Sequence, residues 1–296
     1  MRRKAIQLAN QTIVISLPIK WVRQHGIKKG DEIEVEEKEE KIVVSIQKEP
    51  EEIKKIINLD DYGIMQNRIV LSQYLKGVDE LEIKFSKPHK IKERIANKLI
   101  GFEIIKQTSN SITFKDLSRF SNQDLSQIIK RIFLIIESMG FELLESLEKN
   151  QKNLEHIIEI DEEINKMAYY AIRVLSKQGS GKSKESPLLY SIILCLESIG
   201  DKYREIAKKI TEKKINLTKK DLQNIKITNE FFVLFKNFFL DIKKEKLIEW
   251  AEFYEANKNN FAINSKREEQ NIFLNTYLIE ITGDILMMNN NLLMTM

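Results

Sequence analysis

From about residue 121 to the end of the chain, apolar residues recur three and four positions apart. Leu125, Ile128, Ile129, Ile132, Phe133, Ile136 and Met139 form one stripe. Ile157, Ile164, Ala168, Ala171 and Leu175 form a second, and Ile192, Leu196, Ile199, Tyr203, Ile206 and Ile210 a third. This spacing gives each of a series of long helices one apolar face, and such helices must bury those faces against each other. Pro187 is the one proline in this part. Breaks near residues 150, 180, 216, 243 and 262 divide it into helices that suit two three-helix bundles or one longer array.

The first 118 residues have a different texture. Thr12-Ile13-Val14-Ile15 is β-branched, and Pro18 stops it. A short helix over Lys20–Gln24 should end at Gly26. Glu32–Glu36 alternates with period two, and Ile42–Ile46 is the next strand. Further on, the pattern predicts a helix over Gln66–Leu75, a strand over Leu81–Phe85 and a helix over about Ile91–Leu99. A hairpin pairing Phe102–Ile105 with Ser111–Phe114 follows. The fold class is therefore multidomain α+β, with boundaries at 1–48, 49–118 and 119–296. The helical part reads as repeats over about 121–214 and 217–296.

Composition narrows the function classes. One cysteine excludes an intramolecular disulfide framework and a Cys-ligated zinc site. No apolar run approaches the length of about 18 residues that a membrane span needs. The start, MRRKAIQLANQ, lacks the apolar core of a secretion signal, so the expectation is a cytoplasmic protein with no transmembrane segment. The net charge of +4 is too small to indicate nucleic acid. Its distribution is more telling. Residues 1–30 carry Arg2, Arg3, Lys4, Lys20, Arg23, Lys28 and Lys29 and no acid, a local charge of +7. Residues 31–50 carry eight acids against three bases. A small β-unit with one basic half suits phosphate contact, and an equally ordinary reading is a solvated basic surface.

Gln11-Thr12-Ile13-Val14-Ile15-Ser16-Leu17-Pro18, then Trp21-Val22, then Gly26-Ile27-Lys28-Lys29-Gly30-Asp31-Glu32-Ile33 resemble the swapped-hairpin domain of the AbrB/MazE/SpoVT family. The resemblance implies a homodimer with interleaved hairpins. Arg2, Arg3, Lys4, Lys20, Lys28 and Lys29 would then face double-stranded DNA. So short a segment cannot bury a useful core alone, and exchange between two copies would supply one.

The helical part contains a repeated motif. Leu196-Glu197-Ser198-Ile199-Gly200-Asp201 and Ile279-Glu280-Ile281-Thr282-Gly283-Asp284 both read apolar-Glu-x-x-Gly-Asp. Each pair of acids lies on one helix face. A mid-helix glycine costs about 1 kcal/mol against alanine, so something should approach the backbone there. Asp161 falls within an apolar stripe and needs a cation or hydrogen-bond donors. Oxygen-rich clusters suit a divalent metal or iron. An arginine from a neighbouring helix would serve equally, with Arg173 and Arg204 as candidates.

These residues resemble PhoU, a phosphate-uptake regulator built of two three-helix repeats. That resemblance implies metal ligation by Asp161, Glu197, Asp201, Glu280 and Asp284. Asn165 stands where a second acid is expected, and only a degenerate counterpart occurs around Glu252–Glu255. The middle segment resembles the linking domain of archaeal PhoU-type regulators at Tyr74–Asp79 and Gly101–Ile105. Together these imply a phosphate-uptake regulator that binds DNA and senses a phosphate- or metal-linked signal through its tail. The alternative is an adaptor that only dimerises through its head and binds a phosphate ABC transporter or signalling protein. The chain is read as a non-enzyme, because metal-assisted hydrolysis needs an open metal position and a substrate pocket.

Other signals carry less. Gly179-Ser180-Gly181-Lys182-Ser183 lacks the first glycine of a phosphate loop and follows a helical stretch. Cys195 reads as a buried thiol, the cluster Phe231–Phe239 as helix core, and Met287, Met288, Met294 and Met296 as packing.

Overall fold

A computed structural model describes residues 3–8, 12–38, 41–45, 52–87, 95–118, 122–150, 154–178, 186–213, 215–260 and 272–294. The chain divides into two compact units, residues 1–51 and 52–296.

The first unit holds two separate antiparallel hairpins. Strands β1 (Ile6–Leu8) and β2 (Thr12–Val14) pair with Gln7 opposite Ile13. Strands β3 (Glu34–Lys38) and β4 (Lys41–Ser45) pair with Val35 opposite Val44. Between the hairpins lies helix α1 (Ile19–Gln24), which Pro18 opens. Gly26 closes it in the left-handed region at φ +66°, where the Ile27 amide reaches back to the Val22 carbonyl. Gly30, at φ +98°, makes the turn before β3. None of the residues of this unit whose burial is described is buried.

The second unit has two layers. Strands β5 (Lys54–Asn58), β6 (Glu80–Lys84), β7 (Phe102–Gln107) and β8 (Ser111–Asp116) form one sheet in the order β5-β6-β8-β7. The β5–β6 pair is parallel and the others are antiparallel. A 3₁₀ turn (Leu59–Met65) and helix α2 (Gln66–Leu75) cross between β5 and β6. Leu59, Val70, Tyr74, Leu81, Ile83 and Phe114 fill the core beneath. The sequence pattern missed β5, because two lysines precede only two apolar residues there. Of the helix expected over Ile91–Leu99, residues 91–94 lie outside the described residues. The rest is a single 3₁₀ turn, Ala96–Lys98.

Six helices follow among the described residues: α3 (Asn122–Glu148), α4 (Glu155–Gln178), α5 (Ser186–Lys213), α6 (Lys219–Leu240), α7 (Lys244–Asn257) and α8 (Ile272–Leu293). All three stripes read from the sequence are buried. One continuous apolar core runs through both triplets, with α5 against α8 and α3 against α6. Thr218 caps α6, and its side chain and that of Asp221 satisfy each other's backbone amides. Phe231, Phe232, Phe235 and Phe238 are core, as their spacing predicts. Of the methionines, Met288 is buried, whereas Met287 and Met294 are exposed and Met296 lies outside the described residues. The glycine- and lysine-rich stretch Gly179–Ser183 also lies outside them.

Candidate functional site

In the first unit the chemistry is charge. Arg3, Lys4, Lys20, Arg23, Lys28 and Lys29 are all exposed, and Arg2 lies outside the described residues. No ion pair neutralises any of these six among the described residues. The Asp31 carboxylate that could pair with Lys28 accepts its backbone amide instead, at 2.7 Å. Apolar groups are exposed beside them, with Ile13 at 70% and Ile42 at 64%. Ile6, Leu8, Ile15, Ile19 and Val35 are exposed as well.

In the second unit the acidic residues fall into two sets. Asp161 on α4 is buried. Its Oδ2 accepts from Asn165 Nδ2 at 3.0 Å and from Arg204 Nη1 at 2.6 Å. The same Arg204 nitrogen donates to Asp201 Oδ1 at 2.5 Å. One guanidinium on α5 thus ties together the acids of two helices. Gly200 makes this approach possible: a Cβ there would lie 3.0 Å from Ile164 Cδ1 and 3.3 Å from Asp161 Oδ1. Glu197 lies one turn before Asp201. Burial, and then the charges of Asp201 and Asp161, push its carboxyl up to about 7. Burial likewise raises Asp161, against the opposing pull of Arg204. Burial and these same three acids push the Tyr169 hydroxyl up to about 12. Arg68 of α2 and Lys98 of the 3₁₀ turn lend positive potential from the sheet layer.

The second repeat is built differently. Asp284 Oδ2 accepts from Lys202 Nζ at 2.6 Å, and Lys202 also donates to Ser198 Oγ at 2.5 Å. Glu280 is exposed, and a Cβ on Gly283 would meet no atom within 4 Å. The close approach expected at both glycines is therefore present at Gly200 and absent at Gly283.

The donor set can be tested for a metal. Asp161 Oδ1 and Asn165 Oδ1 are buried without hydrogen-bond partners, which a cation or a water would satisfy. Against that, no group of three or more His, Cys, Asp or Glu among the described residues is arranged to hold a metal ion. Arg204 engages Asp161 and Asp201, and Lys202 engages Asp284. In this arrangement the residues do not fit a metal site; among the described residues ion pairs engage Asp161, Asp201 and Asp284, but not Glu197 or Glu280.

Sequence reasoning missed a second polar centre. Arg173, fully buried on α4, does not serve the acidic motifs. It reaches the sheet layer, donating to the Tyr74 carbonyl at 2.6 Å, the Val78 carbonyl at 2.7 Å and Asp116 Oδ2 at 2.6 Å. Its guanidinium also lies 4.7 Å from the Tyr74 ring centroid. Lys177, one turn on, binds Asp79 and Asp116. Gly77 at φ +83° leaves room for the Lys177 side chain, which a Cβ would meet at 2.9 Å. Burial raises Asp116, but its bonds from Ser118 and Arg173 outweigh that and hold the carboxyl below its ordinary value. The signal in the sequence was a lone arginine within an apolar stripe. Its partners, far away along the chain, were not legible there.

Comparison with known proteins gives two matches along the chain. Residues 6–54 match the family described as antidote-toxin recognition MazE, bacterial antitoxin. Residues 129–210 match the PhoU domain. Among solved structures, the phosphate transport system regulatory protein PhoU from Streptococcus pneumoniae aligns at 17% identity and a TM-score of 0.45. The alignment covers 57% of this chain and 88% of that one. No curated protein matches. The expected head and tail families are thus both found. No helix among the described residues is long and apolar enough to cross a membrane.

Proposed function

We propose that this protein is a homodimeric regulator of phosphate uptake that binds double-stranded DNA through its first unit. The observation that carries this reading is a β-unit that exposes its isoleucines and whose cations make no ion pair among the described residues. Fully burying one such side chain contributes about 1.5–3 kcal/mol. A second copy supplies that burial, and doubling the unit also doubles the basic surface. The MazE-type match over 6–54 and the PhoU domain over 129–210 support a regulator whose tail receives a phosphate-linked signal.

The test is fluorescence anisotropy of labelled DNA from upstream of this gene and of neighbouring phosphate-transport genes, across a salt series. The reading predicts tight binding to one fragment over random DNA, with a steep loss of affinity as salt rises. The double variant Lys28→Glu, Lys29→Glu should abolish binding without lowering the melting temperature. Equal, weak binding to every fragment would instead favour the adaptor, with a head that only dimerises and a transporter or signalling protein as partner.

The metal expectation has its own test. Asp161 and Asp201 would be free for a divalent ion or iron only if Arg204 moved away. Ion pairs alone predict that Mn(II) added to chelator-treated protein leaves the melting temperature unchanged. A rise of several degrees would show a metal site.

A further inference from the structure

A groove of about 460 Å³ opens between α3, α6 and α7. Its apolar lining is Phe141, Val233, Leu234 and Phe253. Its polar lining is entirely carboxylate: Glu230, Glu249 and Glu252. On α6 the residues Glu230, Val233 and Leu234 stand at i, i+3 and i+4, and on α7 Glu249, Glu252 and Phe253 repeat that spacing. Two adjacent helices thus each present acidic and apolar side chains to the same groove. None of the three glutamates makes an ion pair among the described residues. This sets them apart from Glu137, which pairs with Lys236 at 2.5 Å, and from Asp241, which pairs with Lys243 and Lys246. Phe141 is 42% exposed and, like Leu134 on the same helix at 46%, lies outside the buried apolar stripe.

The lining offers hydrogen-bond acceptors and no cation. An occupant must therefore bring apolar side chains and positive charge together. A helix does so when its apolar residues recur at i, i+3, i+4 and i+7 with lysine or arginine beside them. We propose that this groove is the docking site for an amphipathic, basic helical segment of a partner protein. Its apolar residues would lie on Phe141, Leu234 and Phe253, and its cations on Glu230, Glu249 and Glu252. This goes beyond the reading above and holds whether or not the first unit binds DNA.

The groove has a built-in reporter. Trp250 is buried on α7 and stacks on Phe231 at 5.1 Å between ring centroids, and Phe231 stacks in turn on groove-lining Phe253 at 6.2 Å. The chain has two tryptophans, so Trp21→Phe leaves Trp250 as the only one. The experiment titrates the full-length Trp21→Phe protein with a synthetic amphipathic helical peptide of leucine and lysine, about 18 residues or five turns long. A second titration uses the same peptide with glutamate for lysine. Saturable change in Trp250 emission with the lysine peptide, and none with the glutamate peptide, is expected. Glu230→Gln, Glu249→Gln and Glu252→Gln together should weaken binding about tenfold, as expected for three rim ion pairs. Phe141→Ser should weaken it independently, and the unchanged melting curve of the glutamine variant excludes misfolding. Binding that ignores the triple substitution overturns the proposal, as does equal binding of both peptides or of neither. If Phe141→Ser instead halves the particle mass in solution, a second copy covers the groove and the proposal fails.

Discussion

Gly200 and Gly283 occupy the same slot in the two repeated motifs but have opposite surroundings. At Gly200 an added methyl group would press on buried Ile164 and on Asp161, and at Gly283 it would stand in open space. Overpacking costs about 1–3 kcal/mol, whereas the helix gains about 1 kcal/mol from alanine in place of glycine. Gly283→Ala should therefore raise stability by up to about 1 kcal/mol, and Gly200→Ala should lower it; urea unfolding of both variants checks the sign. Glu197 gives a second prediction. Its carboxyl is raised from 4.5 to about 7 on folding. The folded protein thus binds more protons than the unfolded chain between those values, and stability falls as pH rises through that window. Glu197→Gln should flatten that slope and stabilise the protein at pH 8 by about 1–3 kcal/mol. An unchanged slope between pH 5 and 7.5 would contradict it. The acidic residues themselves were legible from their spacing. Lys202, the partner of Asp284, was not, because pairing between α5 and α8 is a property of packing rather than of local pattern.

At the scale of elements, the helices were the most legible part. Each needs an apolar face of known period, and that face is written locally. The sheet was less so. β7 and β8 were readable as a hairpin, because a short turn joins them. β5 pairs in parallel with β6 across a helical crossover, and most of its residues are exposed. Nothing in its short sequence distinguishes it from a loop. The joint between sheet and helices was the least legible, since it rests on Arg173, Lys177 and their far-off partners. Arg173→Met would leave Asp116 buried with Lys177 as its remaining cation and strand two buried carbonyls. Breaking a buried pair in this way costs about 3–5 kcal/mol. The variant should show faster hydrogen exchange in α2, β6 and β8 than in α3 or α6. Uniform acceleration would contradict a local joint. Asp116 also sets an acid limit. Its folded pKa lies below the ordinary 3.8, so its contribution is fully present above that value and is lost as pH falls through the folded pKa. Asp116→Asn should cost stability at pH 7, and that cost should shrink progressively as pH falls below 3.8.

At the scale of the whole molecule, the two units solve the burial problem in different ways. Residues 52–296 are long enough to bury a continuous helical core and a second core under the sheet. The first unit is too short for that, and its described residues show the consequence in exposed Ile6, Leu8, Ile13, Ile15, Ile19, Val35 and Ile42. Its strands were legible from β-branched runs and period-two alternation. The proposed pairing with a second copy comes only from family resemblance and length, because one copy of a sequence does not state how many copies share a core. On that proposal, disrupting the core shared by two copies should act on assembly before it acts on the tail. Ile13→Asp should dissociate the protein while leaving the far-ultraviolet helical signal intact. DNA binding as proposed depends on a first unit completed by a second copy. Sedimentation equilibrium of the full-length chain over nanomolar to micromolar concentration decides it. A particle of twice the chain mass of 34.8 kDa is expected throughout, reduced to one chain by Ile13→Asp. A single-chain mass for the unaltered protein at every concentration would contradict it.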